Sequence, residues 1–250
     1  MDIAPPFGYR EVIALQRNAK VRLPQPGEVP TFARTLNAIP VSLAEFAPAM
    51  REYPIVFTSG DEGKSFTPVA VLGLTAGENL YLEDARWAAK TYVPAYTRRY
   101  PFCMAQVRLN DAVQQDRLIC VESTFVDDAG EALFDAQGKA LPRWEEIQRL
   151  LTEYEADLER TREMCAILND YALLEPFSMQ ATVKQGGGAM QLTGMHRVAE
   201  AKLEHLNVNQ LKNLLRKGIL ARAYLHLLSL DNFSRLLERR VARDEAKVAT

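Results

Sequence analysis

The chain has 250 residues, with 30 basic and 32 acidic side chains, a formal net charge of -2 and 48% hydrophobic residues. This balance excludes wholesale disorder, and 13 Gly with 13 Pro exclude a collagen-like or low-complexity chain. We expect a single domain over residues 1–250, with a division into 1–141 (β-rich) and 142–250 (helix-rich) as the alternative.

The sequence predicts a cytoplasmic protein without membrane spans. The N-terminus lacks the positive and apolar regions of a secretory signal, and no window approaches the roughly 18 consecutive apolar residues of a membrane helix. Cys103, Cys120 and Cys165 show no C-x-x-C spacing and lie among apolar residues. We therefore expect buried, reduced thiols.

The N-terminal half predicts an antiparallel β-sheet. Residues 1–49 hold seven of the thirteen prolines, so we expect an extended arm with short helices lying over the core. Apolar, β-branched runs between turn residues then predict three strands of a meander and two further strands. These strands are predicted at 53–57, 67–74, 79–82, 102–109 and 117–121, with 110–116 as the connection between the last two.

An acidic segment follows at 127–141, and it nearly repeats itself. Clustered carboxylates suit calcium, but the spacing of an EF-hand is absent. We interpret the segment as two successive solvated turns and predict no metal site there.

Residues 142–171 predict a long amphipathic helix. Pro142 suits the first helical turn, and Glu145 and Glu146 favour the positive end of the helix dipole. Apolar residues recur at spacings of three and four, as one buried face requires. We expect this face to pack on the sheet, with a coiled-coil seam to a second copy, and hence a homo-oligomer, as the alternative.

The last third of the chain predicts a hairpin and then short helices. Strands at 177–184 and 189–194 flank the glycines at 186–188, which we interpret as a turn, because a Walker A loop needs Lys-Ser/Thr and a helix after them. Helices are predicted near 199–206, 208–217 and 220–230 and from 231 or 232, with Asn207 or Asn209 as a cap and Gly218 as a stop. The predicted class is α+β: an antiparallel sheet core, a long helix, a hairpin and a C-terminal helical segment.

The C-terminal helices are basic, with 10 basic and 5 acidic residues over 201–250. Nucleic-acid binding through 208–243 is therefore one hypothesis. The chain as a whole is not basic and has no recognised nucleic-acid-binding motif. We therefore favour the interpretation that these cations lie on solvated helix faces or form internal ion pairs. The cations concerned are Arg216, Lys217, Arg222, Arg235, Arg239 and Arg240.

Any histidine-dependent mechanism must use His196, His205 or His226. The sequence contains no H-E-x-x-H, G-x-S-x-G or G-x-G-x-x-G motif in the required context. A zinc site would need three or four converging ligands, and the spacing predicts none. We therefore assign no catalytic residue, metal or cofactor, and interpret His226 as a buried, hydrogen-bonded side chain.

The segment Trp87–Phe102 is the best candidate for binding. It combines aromatic rings with arginines, the residue types that form binding hot spots and anion pockets. The structural alternative is that its tyrosines fill space beneath the arm and its arginines neutralise carboxylates of the long helix. The candidate site residues are Trp87, Tyr92, Tyr96, Arg98, Arg99, Tyr100 and His226.

Two motifs, YVPAYTRRYPF at 92–102 and LHLLSLDN at 225–232, lead to a resemblance. Through the order in which these motifs follow one another, the chain resembles the bacterial SapC family over nearly its whole length. The resemblance implies an association with surface-layer protein loci. Members of the family tend to occur near outer-membrane receptors and flavin-dependent halogenases. The resemblance implies no reaction and no catalytic residue, and the family is distinct from the transporter permease of the same name. The matching positions are Tyr53, Pro54, Trp87, Tyr92, Pro94, Tyr96, Arg98, Arg99, Tyr100, Pro101, Phe102, His226, Leu228 and Asn232.

Our leading hypothesis is a cofactor-free accessory or binding protein. It would hold a peptide, glycan or partner protein at Trp87–Phe102, in a function linked to the surface layer or cell envelope. The first alternative is an enzyme acting on a small molecule or peptide, with Arg98 or Arg99 on an anionic group and His226 as acid/base. The second is the nucleic-acid hypothesis above.

Overall fold

The computed structural model describes residues 2–25, 27–109, 112–182 and 189–248. The strands are β1 (Asp2–Ile3), β2 (Val12–Ala14), β3 (Lys20–Val21), β4 (Ala38–Pro40), β5 (Ile55–Thr58), β6 (Thr67–Val71), β7 (Leu82–Glu83), β8 (Arg86–Trp87), β9 (Phe102–Leu109), β10 (Ala112–Glu122), β11 (Glu131–Ala132), β12 (Leu174–Thr182) and β13 (Ala189–Val198). The α-helices are α1 (Phe46–Ala49), α2 (Ala95–Arg98), α3 (Pro142–Asp170), α4 (Glu200–Leu203), α5 (Val208–Arg216), α6 (Ile219–Ser229) and α7 (Asn232–Val248). Short 3-10 helices lie at Thr31–Thr35, Leu43–Glu45 and Ser123–Phe125.

The strands form two antiparallel sheets and two small ribbons, which with the helices confirms the α+β class. The four-stranded sheet has the order β1-β9-β10-β2, and the five-stranded sheet has the order β12-β13-β5-β6-β4. The ribbons pair β11 with β3 and β7 with β8. The N-terminal arm thus supplies strands to both sheets, instead of lying over a finished core as predicted.

The predicted third strand of the meander, at 79–82, is wrong except at Leu82, where the short strand β7 begins. The Asn79 side chain donates to the carbonyl of Ala33 at 2.8 Å and accepts from the amide of Tyr81 at 3.0 Å. A side chain that bonds the backbone locally competes with a β-ladder. The segment therefore turns, and the five-stranded sheet takes β4 and β13 as neighbours of the β5–β6 pair instead.

The predicted connection at 110–116 is too long. Strand β10 begins at Ala112, which pairs with Leu109, and the register shifts between Val113 and Arg117. The hydrogen bonds of a β-ladder join backbone groups, so a ladder can continue past its apolar residues into a polar part of the sequence. Residues 110–111 lie outside the described residues, as do the glycines at 186–188; the flanking strands β12 and β13 pair antiparallel as predicted.

Helix α3 packs within the chain and connects two hydrophobic clusters. Its N-terminal half buries Trp144 and Leu151 in what we call the second core. Its C-terminal half buries side chains against the five-stranded sheet, in the main core. The second core comprises Val21, Leu23, Phe102, Val121, Phe125, Leu133, Trp144 and Leu151. The contributions of α3 to the main core are Tyr154, Met164, Cys165 and Leu168.

The C-terminal helices follow the predicted start and stop signals. The side-chain carbonyl of Asn207 accepts from the amides of Asn209 and Gln210 at 3.0 Å each, which caps α5. Gly218 has a φ of 67°, the left-handed conformation that glycine adopts without strain, and it separates α5 from α6. Helix α4 is shorter than predicted for 199–206.

The three cysteines are buried and reduced, as predicted. Burial raises the pKa of Cys103 and of Cys165 to about 12, so both thiols stay protonated at neutral pH. Among the residues that the structure describes, no helix combines the length and the apolar composition that a membrane span requires.

Candidate functional site

A cavity of about 740 Å³ opens beside the Trp87–Phe102 segment. Its lining comes from the arm at Gly8, Arg10 and 22–35, from Trp87, Val93 and 97–102, from the end of β10 and the turn after it at 122–125, and from the first turns of α3. Residues far apart in sequence therefore meet here, because the arm pairs with both sheets while α3 packs on β9.

Arginine dominates the charge of this cavity. Its described lining holds six arginines and two carboxylates, so the formal charge is strongly positive. A low-dielectric recess lined by one sign of charge attracts the opposite sign. The charged lining residues are Arg10, Arg22, Arg34, Arg98, Arg99, Arg143, Glu28 and Glu122.

Several of these arginines have no strong internal partner. Arg22 pairs with Glu28 at 3.2 Å, in an exposed ion pair of the kind that contributes little. Arg10 and Arg34 make no ion pair with any described residue.

Arg99 is a buried cation at the inner side of the cavity, with only 4% of its surface exposed. Its guanidinium lies 3.6 Å from the carboxylate of Glu155 and over the rings of Tyr96 at 4.2 Å and Tyr154 at 4.9 Å. Ring faces and one carboxylate hold the charge in place. The Nε atom of Arg99 is buried without a hydrogen-bond partner.

Thr97 lies two residues before Arg99 and lines the same cavity. Its side chain is 5% exposed, and its Oγ1 atom is also buried without a partner. Buried polar atoms normally find a protein or solvent partner, so each exception needs an explanation. Both atoms are closed to solvent, and both belong to residues that line the cavity.

A row of aromatic rings runs along the cavity. The ring centroids of Phe32 and Tyr100 are 5.7 Å apart, those of Tyr100 and Phe125 are 5.0 Å apart, and both pairs meet edge to face. The guanidinium of Arg22 lies 4.2 Å over the Phe125 ring. Burial, aided by Glu122, raises the pKa of Tyr100 to about 12, so its hydroxyl is neutral at pH 7.

A buried carboxylate fixes the backbone of the segment. Glu45 accepts from the Tyr92 hydroxyl at 2.9 Å and from the amide of Ala95 at 2.6 Å, at the first residue of α2. Arg98 in turn donates to the Tyr92 hydroxyl at 3.1 Å and to the carbonyl of Val93 at 3.0 Å. These bonds fix the backbone conformation of the segment where it lines the cavity.

Trp87 and Tyr96 are buried, and their polar atoms have partners inside the protein. Trp87 donates to the Tyr53 hydroxyl at 2.9 Å, and Tyr96 donates to the carbonyl of Phe7 at 2.5 Å. Tyr96 therefore holds the arm, as the structural alternative anticipated. Of the predicted site residues, Trp87, Arg98, Arg99 and Tyr100 line the cavity, whereas Tyr92 and Tyr96 are not among the described residues that line it.

His226 is not among the described residues that line the cavity. It is fully buried on α6, where Nδ1 donates to the carbonyl of Ile55 at 2.8 Å and Nε2 accepts from the amide of Val198 at 3.1 Å. Burial lowers its pKa to about 4, so the imidazole is neutral. Its contacts join α6 to the five-stranded sheet.

Most of the basic C-terminal side chains have internal partners. Lys217 pairs with Glu163 at 2.6 Å, and Arg240 pairs with Glu78 at 2.9 Å. Arg239 lies 4.4 Å over a tyrosine ring, while Arg222 and Arg235 donate to backbone carbonyls. Contacts of this kind occupy cations that the nucleic-acid hypothesis assigned to phosphates.

The acidic turns use their carboxylates locally. Asp127 accepts from the amide of Ala129 at 2.9 Å, and Asp135 accepts from the amides of Gln137 at 3.0 Å and Lys139 at 2.8 Å. Across the described residues, no group of three or more His, Cys, Asp or Glu is placed to hold a metal.

Sequence reasoning missed half of the cavity. The arm contributes Arg10, Arg22, Phe32 and Arg34, and the turn after β10 contributes Phe125. The one signal in the sequence was the presence of arginines within a Pro-rich arm. No spacing pattern links those positions to Trp87–Phe102.

The comparisons with known proteins identify a family. A model of the SapC family matches residues 17–236, which include the arm from Arg17 onward, the five-stranded sheet, strands β9 and β10 of the four-stranded sheet, and most of the helical segment. A search of curated proteins and a search of solved structures each found no match. The chain belongs to the SapC family.

Proposed function

We propose that this chain is a non-catalytic accessory or binding protein that holds an anionic ligand in the arginine-lined cavity. The observation that carries the proposal is the excess of arginines over carboxylates among the residues that line one cavity, six against two. In line with the resemblance, we propose that the ligand is a peptide, a glycan or a partner segment linked to the surface layer or cell envelope.

Size and chemistry support this function. The cavity volume of about 740 Å³ falls in the range of ligand pockets, roughly 300–1,000 Å³. Arginine presents a planar fork of donors that matches carboxylate and phosphate oxygens. A ligand with such groups would neutralise the charge and satisfy the donors at the same time.

The enzyme alternative has less support. It assigned acid/base chemistry to His226, whose two ring nitrogens are both engaged within the fold. The buried carboxylate at the cavity, Glu122, accepts from the amides of Arg10 at 3.1 Å and Glu11 at 3.3 Å. Each of its two oxygens accepts one of these bonds, so this carboxylate holds the backbone of the arm.

Calorimetric titration with matched probes tests the proposal. The probes are hexaglutamate and trigalacturonate, with hexaglutamine and trigalactose as their neutral counterparts. We expect at least one acidic probe to bind and its neutral counterpart not to bind. The affinity should fall about tenfold or more in an Arg10→Gln, Arg34→Gln double variant, because charge-assisted hydrogen bonds contribute about 1.5–3 kcal/mol each.

Arg216→Gln is the matched control. Arg216 is an exposed arginine on α5 that does not line the cavity, so its loss should leave the affinity unchanged. The proposal fails if neither acidic probe binds, or if the double variant and the control bind with equal affinity.

A further inference from the structure

Helices α5 and α6 expose apolar side chains away from the cavity. Of the nine large hydrophobic side chains that are exposed among the described residues, five lie on these two helices. No described residue of either helix lines the cavity, so these side chains stand on a separate outer surface. A concentration of exposed apolar side chains marks an interaction site. The five residues, which we call the α5–α6 surface, are Val208, Leu211, Leu215, Tyr224 and Leu228.

The inner face of α5 is fixed to the rest of the protein. Leu214 is fully buried, and Asn213 donates to the Tyr171 hydroxyl at 2.9 Å. The ammonium group of Lys217 pairs with Glu163 on α3 at 2.6 Å. The helix is therefore formed and oriented before a partner binds, so little conformational freedom is lost on binding.

The outward face of α5 combines an apolar stripe with cations. Val208, Leu211 and Leu215 recur at spacings of three and four, so they share one side of the helix, and they are 67%, 42% and 66% exposed. Lys212 follows Val208 by one helical turn and Arg216 follows Lys212 by another, so both border the stripe. Both cations are exposed, and neither forms an ion pair with a described residue.

Helix α6 contacts α5 and divides into two faces in the same way. Ala223 and His226 are buried toward the core, whereas Tyr224 and Leu228, one helical turn apart, are exposed. The second helix therefore adds a tyrosine and a leucine to the exposed apolar side chains of the first.

The two helices carry positive charge without negative charge. Residues 205–230 contain four Lys or Arg residues and no Asp or Glu, although the whole chain has 32 acidic residues among 250. The α3 carboxylate that contacts α5, that of Glu163, is paired with Lys217. A surface with one sign of charge attracts a partner that is negative over a broad area.

A bilayer of anionic phospholipids has both of the properties that this surface requires. Its headgroup phosphates attract Lys and Arg, and its acyl boundary accepts apolar side chains that project from a helix lying in the surface plane. Tyrosine is enriched at the level of the headgroups. An acidic protein would need a groove that matches the projecting side chains one by one, whereas a fluid bilayer accepts them without a matching shape.

We propose that α5 and α6 form a peripheral binding surface for anionic phospholipid membranes. The apolar side chains of the α5–α6 surface enter the acyl boundary, while Lys212 and Arg216 contact headgroup phosphates. The helices lie on the bilayer and do not cross it. This inference does not depend on the ligand of the cavity.

Co-sedimentation of the full chain with lipid vesicles tests the proposal. The protein should bind vesicles of equal parts phosphatidylcholine and phosphatidylglycerol at least about tenfold more tightly than vesicles of phosphatidylcholine alone, because each basic side chain near an anionic surface contributes about fivefold. Added salt should weaken the binding.

Two double variants separate the apolar contribution from the charge. Leu211→Ser with Leu215→Ser should lower the affinity for the anionic vesicles about tenfold or more, because two leucines lose their contact with the acyl boundary. Lys212→Gln with Arg216→Gln should lower it by a similar factor. All four side chains are exposed, so urea unfolding of both variants should match that of the wild type.

Each variant has a matched control. Phe7→Ser removes an exposed aromatic side chain from the N-terminal arm, and Lys64→Gln with Lys139→Gln removes two exposed charges from other loops. Both controls should keep the affinity within about twofold of the wild type, since charges distant from the contact are screened.

Three results would overturn the inference. If the wild-type chain does not sediment with anionic vesicles, the surface does not bind lipid, and an acidic protein partner is favoured. If the cation variant loses binding but the leucine variant does not, the protein adsorbs by charge alone. If a variant and its control lose binding equally, the contact lies elsewhere on the chain. The proposed function is tested separately, with soluble anions at the cavity.

Discussion

The buried polar side chains of this protein divide into partnered and unpartnered ones. Glu45 and His226 each bond two or more backbone or side-chain groups, and both join segments that are distant in sequence. Thr97 and Arg99 instead leave a polar atom without a partner, beside the cavity. The partnered side chains stabilise the fold, whereas unpartnered atoms occur both beside the cavity and in His196, which is not among the described residues that line it.

The neutral state of His226 predicts an acid-sensitive contribution to stability. Its pKa is about 4 in the folded protein and 6.5 in the unfolded chain, so between these pH values the unfolded chain binds more protons. The contribution is complete above pH 6.5 and is lost as the pH falls toward 4. It amounts to about 3 kcal/mol, because each pH unit of difference is worth about 1.4 kcal/mol.

Urea unfolding at pH 7, 6, 5 and 4.5 measures this contribution. The free energy of unfolding of the wild-type protein should fall more steeply over this range than that of His226→Gln, which does not titrate. His205→Gln should follow the wild-type curve, since His205 is exposed on the surface. Parallel curves for the wild type and His226→Gln would contradict the prediction.

At the scale of elements, the periodicity of apolar residues and the capping signals predicted helices well, whereas one predicted strand failed because of a side-chain bond that the sequence did not reveal. The repeat of apolar residues predicted α3 to within a residue at its C-terminal end, and Asn207 and Gly218 set the bounds of α5. The strand at 79–82 failed because the Asn79 side chain bonds the backbone there. A hydropathy pattern contains no information about such a bond.

Helix α5 contains two adjacent leucines that differ in burial, so substituting each of them tests how much burial contributes to stability. Leu214 is 0% exposed in the main core, and Leu215 is 66% exposed. Leu214→Ala should lower the free energy of unfolding by about 2–5 kcal/mol, because it leaves a cavity. Leu215→Ala should change it by no more than about 0.5 kcal/mol.

Chemical denaturation of both variants compares them directly. The two substitutions have the same effect on intrinsic helix propensity, so any difference between them reports packing alone. Equal losses of stability would mean that the outer face of α5 is covered in the folded protein.

At the scale of the whole molecule, the sequence predicted the fold class and one side of the candidate site. It located Trp87, Arg98, Arg99 and Tyr100, because aromatic residues and arginines are concentrated within one short segment. The opposite side comes from the arm and the turn after β10, which reach the cavity only through sheet pairing and the packing of α3. Such long-range pairing is not encoded in local spacing, so this half could not be predicted.

Helix α3 contributes buried residues to both the main core and the second core. We therefore predict that the two clusters unfold as one cooperative unit, in line with the expected single domain. A continuous helix buried in both clusters cannot lose its packing in one without weakening the other. The chain has two tryptophans, with Trp87 in the main core and Trp144 in the second core, so each reports on one cluster.

Trp87→Phe and Trp144→Phe variants each leave one tryptophan as the fluorescent reporter of urea unfolding. Within each variant, the fluorescence midpoint should coincide with the midpoint from far-UV circular dichroism, even if both variants are less stable than the wild type. Coincidence in both variants means that the clusters unfold together. A fluorescence transition that separates from the circular dichroism transition in either variant would show that the clusters unfold independently, and that the cavity lies between two units instead of within one.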